Sequence, residues 1–261
     1  MSKFIENLPY SLDEGLSARA SVGLVVLATD YTIEAEWRVL FNKLPGVALY
    51  HARIANDDEV TPETLKAMAP RIAATAATLT PGTVVDVVAY GCTSASMAIG
   101  EDVVFSHINE AKPGALCTTP VTAAFAAFKA LGAKRIAVLT PYSRSVNEIV
   151  VDYLQRGGVD IPVFGSFNEP LDSRVSRISD ESVAAGVRTL VNKSIELQYE
   201  IDAVFVSCTS VRLMAQCASL EQEIGLPITS SNHAMAWHAL RLAGIEDSLS
   251  GLGKLYDCVL T

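Results

Sequence analysis

No apolar run in this sequence reaches the length needed to cross a bilayer, which argues against a membrane-spanning helix. Positive charge is also scarce. Against 29 Asp and Glu stand 20 Lys and Arg, a formal net charge of -9, so neither nucleic acid nor an anionic membrane surface is an expected partner. The 5 Cys and 4 His form no Cys-x-x-Cys pair and no cluster at zinc-ligand spacing, so no metal site is expected. The opening residues, Met1 to Pro9, lack the basic segment and apolar run of a secretory leader. Together with an odd number of cysteines, this gives the expectation of a reduced, cytoplasmic compartment.

What the chain has in quantity is apolar surface. Half of its 261 residues are hydrophobic, which argues against disorder and allows a substantial core. The apolar segments alternate between strand-like runs and helical spacing. Residues 23–28 read as a strand ending in Thr29-Asp30-Tyr31, and 33–44 as a helix with Glu34 and Glu36 in its first turn. Residues 47–52 read as a second strand, and Thr61-Pro62 as the start of one long helix through about residue 79. Residues 84–89 form a third strand that leads into Tyr90-Gly91-Cys92-Thr93-Ser94, followed by one helix to about residue 111. A short strand at 115–118 and an Ala/Phe-rich helix ending at Leu131-Gly132 complete the series.

At Lys134-Arg135 the series restarts. Residues 136–139 form a strand ending in Thr140-Pro141-Tyr142, 143–155 a helix and 161–166 a strand, and 168–180 is a polar loop. A helix over 181–199 precedes the strand 203–207, and Cys208-Thr209-Ser210 is expected to open a helix through about residue 224. A short strand at 226–229 and a helix over 231–243 follow. The interval from Thr29 to Cys92 (92 − 29 = 63) is close to that from Thr140 to Cys208 (208 − 140 = 68). The sequence therefore predicts an α/β protein of two similar βα halves with four-stranded, mainly parallel sheets, related by a pseudo-two-fold axis. The expected division is an N-terminal arm over 1–20, halves over 21–133 and 134–245, and a C-terminal segment over 246–261 packing on the first half. Ligands in such folds bind outside the carboxyl ends of the strands, so the axis would set Cys92 and Cys208 on opposite sides of one cleft.

A helix N-terminus presents unpaired N–H groups and partial positive charge. A cysteine there has reason to ionise more readily than free cysteine, and the thiolate is the reactive form. Buried structural thiols are the competing reading, but two matched Cys-Thr-Ser turns favour chemistry. Two thiols across a substrate could take a proton from one face of a carbon and return it on the other, or one could add covalently while the other moves the proton. Donors for a substrate carboxylate or enolate would be Thr93, Ser94, Thr209 and Ser210, with Tyr142 reaching in from the third turn.

These turns, with Gly23-Leu24-Val25-Val26 and Thr29-Asp30-Tyr31-Thr32, resemble the aspartate/glutamate racemase superfamily. Within it they are most similar to the branch of maleate cis–trans isomerase, arylmalonate decarboxylase and the ectoine utilization protein EutA. Ser94-Ala95-Ser96-Met97 and the run from Ser230 to His238 look most like the ectoine-utilization members. The resemblance implies an isomerase or racemase with Cys92 and Cys208 as the catalytic pair, and with Asp30, Thr93, Ser94, Tyr142, Thr209 and Ser210 around a small carboxylate. It implies no metal, flavin or pyridoxal cofactor, and with the apolar helices it points to a homodimer. Maleate isomerases carry Asn where this chain has Asp30, whose charge would repel a dicarboxylate unless protonated or turned away. Arylmalonate decarboxylases keep only the second cysteine, so Cys92 argues against simple decarboxylation. A decarboxylase using Cys208 alone and a non-enzymatic carboxylate-binding protein remain as alternatives.

Cys117, Cys217 and Cys258 are expected to be structural. His233 is a packing or capping histidine in one reading and a proton relay in the other. His51, His107 and His238 have no recognisable partners. Arg53 and Arg212 are the cations expected nearest the strand ends, where either could pair with a carboxylate. Asn56-Asp57-Asp58-Glu59 reads as a solvated loop and a possible lid.

Overall fold

A computed structural model describes residues 2–261. The first sheet is built on β1 (Ala20–Leu27), whose residues are all buried, so it must lie in the middle of a covered sheet. It pairs in parallel with β2 (Val47–Ile54) on one side and β3 (Val87–Gly91) on the other, and β3 pairs in parallel with β4 (Leu116–Thr118). The second sheet repeats this plan with β5 (Ile136–Thr140), β6 (Phe164–Ser166), β7 (Ala203–Val206) and β8 (Ile228–Ser230). The strand orders are β2-β1-β3-β4 and β6-β5-β7-β8, and every pair in both is parallel. In each sheet the chain crosses first to one side of the starting strand and then to the other. The switch points, between β1 and β3 and between β5 and β7, are where such sheets open a crevice at their carboxyl ends.

Several helices depart from the sequence expectation. The stretch 61–79 is a broken ladder, with α2 (Pro62–Lys66), a 3-10 turn over Ala69–Arg71 and α3 (Ile72–Ala76). Pro70 has no N–H to continue an α-helical ladder. The expected helix after Cys92 is two, α4 (Thr93–Ile99) and α5 (Glu101–Ala111), parted at Gly100, whose φ of 97° L-residues avoid. The expected loop 168–180 contains the short helix α8 (Asp172–Val175). The helices α1 (Ile33–Phe41), α6 (Pro120–Leu131), α7 (Arg144–Arg156), α9 (Asp180–Glu196), α10 (Cys217–Ile224) and α11 (Ser231–Leu242) complete the layers.

The halves are joined through their last helices. The Ala-rich α6 and α11 pack on each other, with α11 also against β3 and α6 against β8. Small side chains at Ala123, Ala127, Ala234 and Ala236 allow this close approach. Phe128 of α6 meets Phe205 of β7 edge-on, ring centroids 5.4 Å apart. Burial of each such side chain is worth roughly 1.5–3 kcal/mol. Trp37 of α1 donates its indole N–H to the carbonyl of Asn232 at 3.1 Å, and Trp237 donates to the carbonyl of Cys258 at 3.1 Å, which ties the C-terminal segment onto α11. No helix among the described residues is long and apolar enough to cross a membrane.

Candidate active site

Cys92 follows the last residue of β3 and caps α4 in extended conformation, φ -147° and ψ 112°. Gly91 before it lies against β1 and α1, where an added Cβ would stand 3.2 Å from the Val25 carbonyl and 3.3 Å from Ile33 Cδ1. Cys208 stands two residues beyond β7, in the matching place of the second sheet. Both cysteines line one narrow cavity, with about 20 Å³ of room for the centres of water-sized molecules, together with Thr93, Ser94, Tyr142, Thr209 and Asp172. Leu27, Leu65 and Met68 supply apolar wall, and Asn56, Asp57 and Glu59 reach over it. The duplication thus brings the two thiols to one chamber.

The two turns are not equivalent. No helix begins after Cys208; regular structure resumes only at a 3-10 turn, Met214–Gln216, ahead of α10. The cause is capture by the other half. Half-buried Glu36 accepts the N–H groups of Leu213 and Met214, each at 2.8 Å, and the Thr32 hydroxyl donates to the carbonyl of Ser210 at 2.9 Å. Asn232 donates to the carbonyl of Thr209 at 2.7 Å. The expected helix-terminus assistance is therefore confined to Cys92.

Ionisation also differs from expectation. Burial pushes the Cys92 thiol up to about 12, and the charge on Asp172 adds to this, while the Ala95 N–H and the Ser94 hydroxyl, 3.9 Å from the sulfur, oppose it. Cys208 is raised further, chiefly by burial and then by Asp172, against opposing bonds from Tyr142 and the Ser210 N–H. Desolvation outweighs the local donors, so both sulfurs rest as neutral thiols.

Of the expected donors, several hydroxyls are already engaged. Thr93 donates to Ser231 at 2.7 Å, Thr209 to the carbonyl of Gly91 at 3.3 Å, and Ser210 to Asp172 at 2.7 Å. Ser210 and Asp30 stand behind the cavity wall rather than in it. Ser94 and Tyr142 keep hydroxyls directed at the cysteines; the Tyr142 hydroxyl sits against the Cys208 thiol and Ser94. Tyr142 is placed by Asn147, which donates to its carbonyl at 2.8 Å and accepts from Thr140. Its counterpart Tyr31 is 64% exposed while Tyr142 is 4% exposed, so the symmetry fails at this turn. Asp30 is fully buried: one oxygen accepts the N–H groups of Thr32 at 2.7 Å and Ile33 at 3.0 Å, and the other has no partner among the described residues. Burial chiefly raises its carboxyl to about 7, and the nearby charge of Asp172 adds to the shift.

Asp172 is the site residue that sequence reasoning missed. It is buried in the cavity wall, accepts hydroxyl bonds from Thr29 and Ser210, and is shifted upward, chiefly by burial. The duplication carried the signal, because its loop after β6 matches the loop after β2 that holds Asn56 and Asp57. Those loops clasp each other: the Val60 N–H donates to the Pro170 carbonyl at 3.0 Å, and Asp58 accepts the Ser173 N–H and hydroxyl, each at 2.8 Å.

The residues set aside lie elsewhere. His233 is buried between the Thr229 hydroxyl, 2.9 Å from Nδ1, and the Leu252 carbonyl, 2.6 Å from Nε2, against Tyr256; it packs, and it does not line the cavity. Arg53 pairs with Glu34 and the carbonyls of Leu27, Ala28 and Asp30, and Arg212 with Asp180 and the Ile178 carbonyl. Cys117, Cys217 and Cys258 are free thiols away from the cavity. Among the described residues no group of three or more His, Cys, Asp or Glu is arranged to hold a metal ion.

Comparison with known proteins agrees with this fold. A maleate isomerase of Nocardia farcinica is 29% identical over 246 residues, covering 90% of this chain and 94% of that one. An arylmalonate decarboxylase of Bordetella bronchiseptica is 29% identical over 150 residues, 55% of this chain and 59% of that one. A cysteine-to-serine variant of Nocardia farcinica maleate cis-trans isomerase, solved with a covalently bound succinylcysteine intermediate, superposes with a TM-score of 0.81 at 27% identity, covering 91% of this chain and 98% of that one. The family model described as Amdase, arylmalonate decarboxylase, matches residues 22–256, and the chain belongs to that family of enzymes.

Proposed function

We propose that this chain is a cofactor-independent isomerase or racemase in which Cys92 and Cys208 act from opposite sides of one small carboxylate. The observation that carries the reading is that both thiols, on matching strand ends, line a single cavity with the Tyr142 hydroxyl beside them. One of the two thiols, neutral at rest, first gives up its proton to water, and the resulting thiolate removes a proton from the carbon next to the carboxylate. The electron pair left behind is held as an enediolate by the Ser94 and Tyr142 hydroxyls and the turn N–H groups. The other sulfur delivers its proton to the opposite face, so the two cysteines exchange protonation states. On an unsaturated acid the same pair would add sulfur to one alkene carbon, protonate its neighbour, allow rotation about the resulting single bond and eliminate in reverse. The covalent succinylcysteine in the Nocardia farcinica isomerase supports that second course.

A place in ectoine or hydroxyectoine utilization is the finer part of the proposal, supported by the resemblance of 94–97 and 230–238. A cytoplasmic homodimer is its expected working form. Decarboxylation through Cys208 is a second reading, favoured by the family's named activity. Turnover of candidate unsaturated, chiral and malonate-type acids, followed by NMR and chiral chromatography, separates them. The two-thiol reading expects isomerisation or stereochemical inversion that falls about 10²–10⁴-fold in both Cys92→Ser and Cys208→Ser. Carbon dioxide release that survives Cys92→Ala would favour the decarboxylase.

A further inference from the structure

The cavity walls are short of positive charge. Among the described residues that line it none is Lys, Arg or His, whereas Asp57, Glu59 and Asp172 bring carboxylates. The two arginines expected near the strand ends are bound elsewhere, Arg53 to Glu34 and Arg212 to Asp180. Behind the wall Asp30 leaves one buried oxygen without a partner. In Asp172 each oxygen takes one hydroxyl, from Thr29 or Ser210, which leaves acceptor capacity on both, since an ionised carboxylate offers about four lone-pair sites.

A dianion brought into this chamber would find donors for one carboxylate at the cysteine turns, while its second would meet Asp57, Glu59 and Asp172 with no cation among the lining residues. Like charges this close in a buried setting are strongly disfavoured. A cation would supply the counter-charge that Asp172 lacks, and buried charges are retained where they are paired. Both aspartates are raised, chiefly by burial.

We propose that the substrate is a carboxylate that also bears a protonated nitrogen, and that Asp172, backed by Asp30, is the specificity-determining group that accepts that nitrogen. The inference rests on the reading of this cavity as the substrate site, and it narrows the substrate from any small acid to a zwitterion or amino-carboxylate. Asp172 fixes which end of the molecule faces the second loop, and the cysteine turns hold its carboxylate.

The test is calorimetric binding to the Cys92→Ser/Cys208→Ser double variant, which lacks both reactive sulfurs. Three four-carbon probes that differ in charge are compared: maleate, butyrate and 2,4-diaminobutyrate. The expected result is binding of 2,4-diaminobutyrate at least about tenfold tighter than either other acid, and loss of that advantage when Asp172→Asn is added. Maleate binding as tightly as the diamino acid, or the absence of any preference for it, overturns the proposal. So does an Asp172→Asn change that weakens all three probes alike. The comparison among probes needs no change at Asp172, so a folding defect in that variant leaves it standing. Because no turnover is read, failure here is distinct from failure of the isomerase reading.

Discussion

Replacing Asp30 with Asn should change how the stability of this protein depends on pH. Asp30 is fully buried and one of its oxygens has no partner, so its charged form is costly in the fold. A carboxyl that ionises near 7 in the folded chain and near 3.8 in the unfolded one favours folding only while protonated. Its contribution is fully present below the unfolded value and is lost as pH rises through the folded value. At about 1.4 kcal/mol for each pH decade, the loss amounts to about 4 kcal/mol between pH 4 and pH 8. Asn keeps an acceptor for the N–H groups of Thr32 and Ile33 and carries no charge. The assay is urea unfolding at a series of pH values, followed by the fluorescence of buried Trp37 and Trp237. The wild type should lose stability toward alkaline pH by more than Asp30→Asn does, with the two curves diverging most steeply between pH 5 and 7. Parallel curves would refute the argument, because they would mean that Asp30 titrates alike in the folded and unfolded chains.

Two further outcomes follow from the site. Iodoacetamide labelling of Cys92 and Cys208 in the ligand-free enzyme should quicken about tenfold per pH unit from pH 7 to 10 without levelling, because both thiols are raised by burial; mass spectrometry showing a plateau below pH 8 would mean a resting thiolate. Asn147→Ala should lower kcat about tenfold with a smaller effect on KM, since the bond that sets the Tyr142 carbonyl is lost; an unchanged kcat in steady-state assays would remove Asn147 from the positioning of Tyr142.

The parallel strands and their duplication were legible because the strands are short apolar runs closed by turn residues, and because the same Cys-Thr-Ser turn appears twice. What could not be read depends on contacts between the halves. A helix after Cys208 is locally reasonable, yet Glu36 and Thr32 of the other half hold that segment in a different path. The helix N-terminus at Cys92 suggested an easily ionised thiol, but the depth of burial is set by the loops after β2 and β6 closing over it. Asp172 was hidden for the same reason: its loop looks polar and solvated in isolation and becomes cavity wall only when clasped to Asp58 and Val60. Tyr142 was found and its difference from Tyr31 was not, since exposure follows from packing rather than from the repeated Thr-x-Tyr pattern.

Solvent isotope incorporation tests most directly whether two sulfurs share one substrate. With an accepted acid in deuterated water, NMR should find deuterium entering at one carbon in the wild type and at a rate near background in both Cys92→Ser and Cys208→Ser. Exchange that continues at the wild-type rate when either sulfur is removed would contradict the account.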